Sequence, residues 1–566
     1  MAYQGISPDL YRNNLTNVQL LDDISGSFNG TTTQFNLTVN GSAFHAVSAR
    51  SLFIVLGGIV QEPDQDYTVS GGVITFTTAP NAGLTFSGRN IYGLNQLTGV
   101  NDGLVTPAKL SLGGPSWNTD GDLILSGDTN NVYVNTDTPT VRPTLDLNFE
   151  RDRRLDSRIT YSRSSTATYL GSDGLIKTAL VNEPRFEYDR NGNSLGFLIE
   201  EGRTNLITYS EDYTQWTTDA ATTTANVVSA PDGLTTADSF VPTTSNAVHR
   251  IYRVLTVNNA TVYTFSYFVK PFGYTKVFLR IGGQSSSPVV VWNTATKTVD
   301  STAGIFTSSF IEEYPNGWYR VGLTMTTNIT TYAPNIGAVS DTYTFASATN
   351  EVTFAGNGTS GAYVWGAQLE LGAFATSYIP TVASTVTRSV DIATINGTNF
   401  TSWYNPSEST VYGAGRSITG SSDTDANPAM VSIDDNTLNN RFILRRLDGQ
   451  SYANPLYSGF TFRYVRTGQI NLDVFPPVVQ STGILPQWTD TNLHKMAFAI
   501  STTAQVAYGD GINALITNQV SLTPWTAATQ MQIGAGASSG YWNGHISRII
   551  YYPKRLTNNQ LSNLTS

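Results

Sequence analysis

Adjacent acidic residues are the first candidates for chemistry in this sequence. Glu200 and Glu201 follow one another, and enzymatic cleavage of a glycosidic bond generally needs two carboxylates about 5–9.5 Å apart. Neighbouring side chains on a strand point to opposite faces, so these two cannot act together on one bond. Each could pair with a distant acid such as Asp189, but we expect structural ion pairs, to Arg203 or Arg163. We therefore assign no catalytic residue.

Metal ligands are scarce in the sequence. The chain has no cysteine, which excludes disulfides, thiolate nucleophiles and cysteine-bound zinc. The four histidines show no metal-ligand spacing and are expected to be structural: His45, His249, His494 and His545. Residues 423–427 resemble the start of a calcium loop, but Pro428 stands at position six and Asp434 at position twelve. We predict a surface turn there, and neither a metal nor a cofactor.

Aromatic side chains are the remaining candidates, because the apolar face of a sugar ring can stack on them. Tyr274, Trp292 and Trp542 each stand next to glycine or asparagine in turn-like sequence. We predict that these three are the exposed aromatics that contact carbohydrate, with packing in the core as the alternative for each. Trp318 and Trp365 lie within strand-like sequence and are expected in the core.

The composition limits the classes of protein and partner. Charged residues make up 13% of the 566 residues, well below the usual value of about 25%, and the formal net charge is −10. No run of Lys and Arg occurs, so nucleic acid is excluded as a partner. The longest dense apolar run, 52–60, is shorter than the roughly 20 residues of a membrane span. The start, MAYQGISPDLYRNN, has no apolar segment of the kind found in secretory signals.

Alternating apolar residues predict the secondary structure. Positions 263–269, 319–325 and 496–500 alternate in a way that is typical of strands with one buried face, and 67–76 reads as a hairpin. Thr557 and Gln560 form a capping-box sequence, which predicts a short helix at the end of the chain. We therefore predict an all-β, multi-domain string of β-sandwiches or jelly rolls with a short C-terminal helix.

Three sets of motifs resemble regions of bacteriophage structural proteins. LDDISGSFNGTTTQFNL and FIVLGGIVQEPDQDYTV resemble a small β-domain of virion proteins. RITYSRSSTATY, GLIKTALVNEPRF and LGFLIEEGRTNL resemble, in order and spacing, phage tail-fibre and head-spike proteins, in which a carbohydrate-binding-module-like jelly roll commonly follows. AYGDGI and GYWNGHISRIIYYPKRLTNNQLSNL resemble the end of a laminin-G or concanavalin-like sandwich.

The resemblance and the strand pattern together predict six regions. They are an N-terminal arm (1–24), a small virion-proximal β-sandwich (25–94), a shaft or linker (95–150), a fibre motif region (151–206), a jelly roll (207–388) and a laminin-G-like sandwich (389–566). The short strands of 95–150 cannot bury a core alone, which favours a homotrimer in which chains complete one another's core. An extended linker is the alternative.

The resemblance implies a structural fibre or spike subunit of a phage virion, with a tail fibre favoured. Such a subunit would be made in the host cytoplasm, joined to other virion proteins through its N-terminal region, and displayed on the tail or capsid exterior. We expect no catalytic activity and a possible contact with host surface polysaccharide. A head fibre or decoration protein that acts as a spacer, and a polysaccharide depolymerase, are the alternatives.

Overall fold

The computed structural model divides into two compact units. It describes residues 19–46, 48–90, 115–117, 123–125, 141–283, 287–417, 428–437, 440–447, 459–466, 469–474, 492–501, 504–517, 527–536 and 540–566. The units are Met1–Gly114 with Gly127–Thr129, and Pro115–Ser126 with Asn130–Ser566. Strands dominate the described ranges, so the chain is an all-β, multi-domain protein, as predicted. Its α-helices there are α1 (Phe149–Asp152), α2 (Gly397–Thr401) and α3 (Asn558–Thr565). Short 3-10 turns lie at Ser25–Ser27, Ala49–Ser51, Tyr213–Gln215 and Pro315–Gly317.

The N-terminal unit is a small β-sandwich. Its strands are β1 (Gln19–Leu20), β2 (Gln34–Asn36), β3 (Thr38–Val39), β4 (Ser42–Ala43), β5 (Leu52–Leu56), β6 (Ile59–Gln61), β7 (Tyr67–Ser70), β8 (Val73–Phe76) and β9 (Phe86–Asn90). They form sheets of order β1-β9-β5-β6 and β2-β8-β7 and the pair β3-β4, around a core that includes Phe28, Phe35 and Phe76. The hairpin predicted at 67–76 is confirmed as β7-β8. Residues 19–24, predicted as part of the arm, belong to this sandwich because β1 pairs with β9.

The second unit carries the remaining strands. They begin with β10 (Pro115–Trp117), β11 (Leu123–Leu125), β12 (Leu145–Asn148), β13 (Thr160–Ser162), β14 (Ala167–Leu170), β15 (Ile176–Ala179), β16 (Arg185–Tyr188), β17 (Ser194–Ile199) and β18 (Arg203–Asn205). Next come β19 (Thr217–Asp219), β20 (Ala221–Val228), β21 (Ala237–Pro242), β22 (Asn246–Val248), β23 (Arg250–Tyr252), β24 (Leu255–Thr256), β25 (Val262–Phe272), β26 (Lys276–Gly282), β27 (Val289–Asn293), β28 (Thr298–Ala303), β29 (Ser308–Tyr314), β30 (Trp318–Thr326), β31 (Thr331–Val339), β32 (Thr344–Phe345), β33 (Val352–Ala355), β34 (Gly361–Leu371) and β35 (Val386–Arg388). The last are β36 (Ile392–Asn396), β37 (Ser409–Ser417), β38 (Ala429–Asp434), β39 (Arg441–Leu447), β40 (Gly459–Arg466), β41 (Gln469–Val474), β42 (His494–Ile500), β43 (Gln505–Gly509), β44 (Ile512–Thr517), β45 (Gln530–Ile533) and β46 (Gly544–Tyr552).

The C-terminal sandwich is discontinuous in sequence. One sheet has the order β16-β17-β46-β37-β42-β43-β44, with β12 also paired to β46, and the other has the order β13-β36-β45-β38-β39-β40-β41. Their shared core includes Leu147, Phe197, Ile395, Phe498 and Ile549. The predicted motif region 151–206 is therefore not a separate region, because three of its strands, β13, β16 and β17, complete this sandwich. Residues 145–150 likewise belong here, and the rest of the predicted shaft, apart from the pair β10-β11 and 141–144, lies outside the described residues.

A second sandwich is inserted between the two parts of the first. Its sheets have the orders β20-β21-β34-β25-β30-β29 and β19-β23-β31-β26-β27-β28, and β22-β33-β32 forms a small third sheet. The core includes Phe265, Tyr267, Val321 and Leu323, on the faces that the alternation at 263–269 and 319–325 predicts. The chain enters through β18 and returns through β35, and these two strands pair antiparallel as a neck.

Helix α3 begins as the sequence predicts. The Thr557 hydroxyl accepts a hydrogen bond from the Gln560 main-chain N–H at 3.3 Å, and the Gln560 side chain accepts one from Thr557 N–H at 2.9 Å. Leu556 and Leu561, on either side of the cap, are both buried. The predicted capping box and C-terminal helix are therefore confirmed.

Five charged side chains are buried where the neck meets the C-terminal sandwich: Arg163, Arg185, Glu200, Arg388 and Asp391, which we call the ionic cluster. Arg185 Nη1 donates to Glu200 Oε2 at 2.7 Å, and its Nη2 donates to Asp391 Oδ2 at 2.5 Å. Arg163 Nη1 lies 3.2 Å from Asp391 Oδ1. Arg388 Nη1 lies 3.4 Å from Glu200 Oε2. The cluster thus links residues on both sides of the insertion.

Main-chain groups complete the coordination of the two carboxylates. Glu200 N–H donates to the Asp391 carboxylate oxygen Oδ2 at 2.9 Å. In return, Asp391 N–H donates to the main-chain carbonyl oxygen of Glu200 at 3.0 Å. Ser377 donates to Glu200 from its N–H at 2.7 Å and its hydroxyl at 2.6 Å. Burial opposes ionisation of Glu200, but Arg388 and Arg185 outweigh it and hold the pKa of this carboxyl well below its ordinary value. Glu200 is therefore ionised at neutral pH.

Replacing Asp391 with asparagine is expected to lower the free energy of unfolding of the second unit by about 3–5 kcal/mol, because two buried guanidinium groups lose their counter-charge. Chemical denaturation followed by tryptophan fluorescence measures this difference. The matched control is Asp173→Asn, which removes the exposed ion pair to Lys177 and is expected to cost about 0–1 kcal/mol. Equal losses for the two variants would contradict a central role for the ionic cluster.

Candidate functional site

The outer face of the C-terminal sandwich is the side of the β46-containing sheet that points away from the shared core. Helix α3 covers part of this face, where Leu556 and Leu561 pack with Tyr412, Tyr508 and Tyr552. The rest of the face carries an open groove of about 840 Å³. The walls are α1, the turn between β16 and β17, and the end of α3.

A row of directly paired residues crosses the groove floor. Ala414 on β37 pairs with Arg548 on β46 and with Lys495 on β42, and Asn148 on β12 pairs with Arg548. Directly paired residues share one face of a sheet, so Asn148, Arg548, Ala414 and Lys495 all face outward. The small Ala414 side chain between two long cationic ones leaves the depression that forms the groove.

A register shift in β46 adds another polar side chain to the floor. Ala414 pairs with Arg548, but the next residue, Gly415, pairs with Ile546, so Ser547 has no partner on β37. A bulge of this kind changes the direction of a side chain. Ser547 and Arg548 both line the groove, while Ile546 and Ile549 both lie in the shared core.

The carboxylates of the groove region are already engaged. Asp146 accepts two hydrogen bonds from Arg548, from Nε at 2.9 Å and from Nη2 at 2.7 Å. Glu150 accepts a hydrogen bond from the Ser547 hydroxyl. Lys495 Nζ donates to the main-chain oxygen of Ser566. These bonds hold the long side chains in place along the groove.

Two hydroxyl groups in the groove differ in environment. Tyr412 is almost completely buried, and this burial raises its pKa to about 12, so it remains neutral. The Ser194 hydroxyl oxygen is buried and has no hydrogen-bond partner among the described residues. Since both hydroxyls are buried, the amide, guanidinium, ammonium and carboxylate groups of the lining supply the donors and acceptors that can match those of a saccharide.

The structure does not bring the three predicted aromatics together. Trp292 and Trp542 are fully buried, in the inserted and the C-terminal core respectively, so the prediction that they are exposed is wrong and the packing alternative holds. Trp542 N–H donates to Gly534 O at 2.9 Å, which shows the turn folded back over the end of the sandwich. Tyr274 is half-buried, and its hydroxyl accepts a hydrogen bond from Asn357 N–H at 3.2 Å.

Glu200 and Glu201 form structural ion pairs, as predicted. Glu201 pairs with Arg203, with 2.5 Å between Oε1 and Nε, which confirms that partner. Glu200 pairs with Arg185 and Arg388 in the ionic cluster, so the suggested partner Arg163 is wrong for this residue. Neither carboxylate reaches the groove.

Sequence reasoning missed the groove residues, although one signal was present. The alternation at 496–500 directs Met496 and Phe498 inward, which places Lys495 on the outer face. No local pattern places Lys495 on the same face as Arg548, because their alignment depends on β37 lying between their strands.

No cluster of three or more histidine, aspartate or glutamate side chains that could hold a metal occurs among the described residues. The calcium-loop-like stretch 423–427 lies outside them. Within the same ranges, no helix is long and apolar enough to cross a membrane.

The burial of the tryptophans predicts their effect on stability. Trp292→Ala and Trp542→Ala are each expected to lower the free energy of unfolding by about 3–5 kcal/mol, because each leaves a large cavity. Tyr274→Ala, at a half-buried position, is expected to cost about 1 kcal/mol. Denaturant titration of the three variants measures these losses. Tryptophan variants as stable as Tyr274→Ala would show that the two indoles do not support their cores.

No protein-family model matches the chain, and no curated protein matches it. Solved structures with some likeness include the Ruminococcus gnavus IT-sialidase CBM40, at 13% identity and a TM-score of 0.24, covering 30% of this chain and 88% of that one. Domain 4 of AbnA, a GH43 extracellular arabinanase from Geobacillus stearothermophilus, shows 10% identity and a TM-score of 0.23, covering 34% and 82%. Mouse laminin alpha1 domains LG4-5 show 10% identity and a TM-score of 0.18, covering 55% and 89%. These TM-scores are too low for any functional conclusion to rest on them.

Proposed function

We propose that this chain is a non-enzymatic fibre or spike subunit of a phage particle that binds a host cell-surface glycan in the groove of its C-terminal sandwich. The observation that carries the glycan proposal is the cross-strand row Asn148, Arg548, Ala414 and Lys495. It sets polar groups on a rigid sheet around a depression open to solvent. Rigid strands position binding groups better than loops do.

The chemistry of the groove favours a saccharide over an apolar ligand. Sites for apolar small molecules are lined mainly by hydrophobic and aromatic side chains. Here the exposed lining is mostly polar, and its one phenol, Tyr412, is buried beneath. Sugar hydroxyls both donate and accept, so they can bond to amides, carboxylates and cations in one site.

Binding is favoured over hydrolysis by the state of the two carboxylates. A glycosidase needs one carboxyl to donate a proton and another free to attack or to activate water. Asp146 is held by two bonds from Arg548, and Glu150 accepts a bond from Ser547. Both carboxylates serve to orient neighbouring groups.

The phage assignment is supported by the resemblance of the three fibre motifs and by the place they occupy. The stretches 158–169, 174–186 and 195–206 each supply one residue of the ionic cluster. These residues are Arg163, Arg185 and Glu200 respectively. The motifs thus support the junction between two sandwiches. A structural role of this kind suits a fibre that must present its outer parts at a fixed geometry.

Filling the groove tests the glycan proposal. Asn563→Trp, at the groove rim on α3, is expected to weaken adhesion of bead-clustered protein to host cells and host polysaccharide by at least about fivefold, or ~1 kcal/mol. Asn559→Trp is the matched control, because Asn559 is exposed on the same helix and does not line the groove.

Adhesion no stronger than that of an unrelated β-sandwich would favour the spacer alternative. Equal adhesion by both tryptophan variants would place the contact elsewhere. New reducing ends released from the polysaccharide would establish the depolymerase alternative.

We also propose that the chain forms a homotrimer and attaches to the particle through its N-terminal unit. In that unit Leu20 and Phe53 both pair with Arg89, and Val60 pairs with Val55, so Leu20, Phe53 and Val60 share the outer face of one sheet. Their exposures are 61%, 42% and 55%. An exposed apolar patch of this kind is typical of an interaction surface.

Replacing Phe53 and Val60 together with serine is expected to lower incorporation into purified particles by about tenfold, or ~1.4 kcal/mol, because the patch loses its apolar area. The control is Val382→Ser, at an exposed valine of the second unit. Immunogold against the C-terminus then locates the subunit. Label on the tail supports the favoured tail fibre, and label on the capsid surface indicates a head fibre. Unchanged incorporation would contradict attachment through this face.

A further inference from the structure

The charge of the groove differs from the charge of the chain. The sequence has 42 acidic and 32 basic residues, which gives an acidic protein. The groove is lined by four cationic side chains, Arg151, Arg153, Lys495 and Arg548, and by one acidic side chain, that of Glu150. A cleft lined mainly by one sign of charge concentrates ligands of the opposite sign.

Two of the four cations are already paired. Arg548 forms its two bonds to Asp146. Arg151 donates to Asp152 from Nε at 2.7 Å and from Nη2 at 3.1 Å. These pairs are close to neutral and contribute little net field. The attraction for an anion therefore depends on the other two cations.

Arg153 and Lys495 form no ion pair with an aspartate or glutamate side chain among the described residues. The Arg153 guanidinium lies 5.8 Å from the centroid of the Tyr188 ring, a contact that leaves its N–H groups available. The Lys495 ammonium donates to the main-chain oxygen of Ser566 and has two further protons to donate.

The two cations lie on different sides of the groove. Arg153 follows α1, and Tyr188, over which it lies, is on β16. Lys495 is on β42, and β17, β46 and β37 separate β16 from β42. At about 4.8 Å per strand spacing, the two strands are about 19 Å apart. A ligand with several charged units along its length can approach both cations.

We propose that the groove selects a carboxylate-bearing saccharide, with Arg153 and Lys495 as the residues that determine this specificity. The inference rests on the proposed glycan binding and adds the class of sugar. Carboxylate oxygens form shorter and stronger bonds to guanidinium and ammonium groups than neutral hydroxyls do. Arginine presents a planar fork that matches a carboxylate. The Glu150 carboxylate in the groove lining repels a negatively charged ligand and lowers its affinity.

The test compares acidic oligosaccharides with their methyl esters, which keep the sugar backbone and remove the charge. The panel is oligogalacturonate, oligomannuronate and hyaluronan oligosaccharides, with sulfated dextran as a second anionic chemistry. Titration calorimetry on the full chain at low salt is expected to show at least one free acid bound about tenfold more tightly than its ester, or ~1.4 kcal/mol. Added salt is expected to reduce this preference, because the site is open to solvent.

Three variants test the residues. Arg153→Gln with Lys495→Gln is expected to bring the affinity for the acid down to that for the ester. Arg253→Gln with Lys554→Gln removes the same charge outside the groove and is expected to leave the preference intact. Glu150→Gln is expected to raise the preference for the acid over its ester about threefold, or ~0.7 kcal/mol, because it removes a negative charge from the groove lining.

The outcomes separate this inference from the proposed function. Esters and acids bound equally well would overturn the carboxylate preference and leave glycan binding standing. A preference for sulfated dextran over every free acid would also overturn it. A preference that survives the Arg153 and Lys495 changes would exclude these residues as its source. Absence of binding to any saccharide, charged or neutral, together with absence of host-cell adhesion, would remove both proposals.

Discussion

The pairing of buried charges in the ionic cluster is the constraint on which the second unit depends. Three arginines and two carboxylates are buried at one point, and each carboxylate also accepts bonds from hydroxyl, phenol or main-chain N–H groups. Losing either carboxylate leaves guanidinium charge uncompensated in a medium that solvates it poorly. Because Glu200 precedes the neck and Asp391 follows it, the pairs also fix the ends of the inserted sandwich relative to the C-terminal one.

This arrangement gives a structural role to the three stretches 158–169, 174–186 and 195–206. The first supplies Arg163, the second Arg185, and the third Glu200 with Glu201 and Arg203. Each stretch also contributes a strand to the C-terminal sandwich or to its neck. The three stretches therefore support a junction, and the groove is lined by residues outside them.

Local features of this fold could be predicted from the sequence, whereas those that depend on distant pairing could not. The capping box at Thr557 and the strand faces around Phe265 and Phe498 involve neighbours within a few residues, so the pattern alone determines them. The insertion could not be predicted, because Leu147 and Ile549 meet only when β12 pairs with β46. Turn-like sequence beside Trp542 indicates a bend in the chain, but it does not reveal that the bend closes over the core.

The groove shows why its residues are harder to find than those of the core. Strict alternation along β46 would place Ser547 and Arg548 on opposite faces. The bulge opposite Ala414 and Gly415 lets both line the groove while Ile546 and Ile549 stay in the core. One extra residue in β46 thus adds a hydroxyl to the floor, and that hydroxyl orients Glu150. Since β37 supplies both the bulge partner and the small residue between the cations, its register determines the shape of the groove and the placement of its charges.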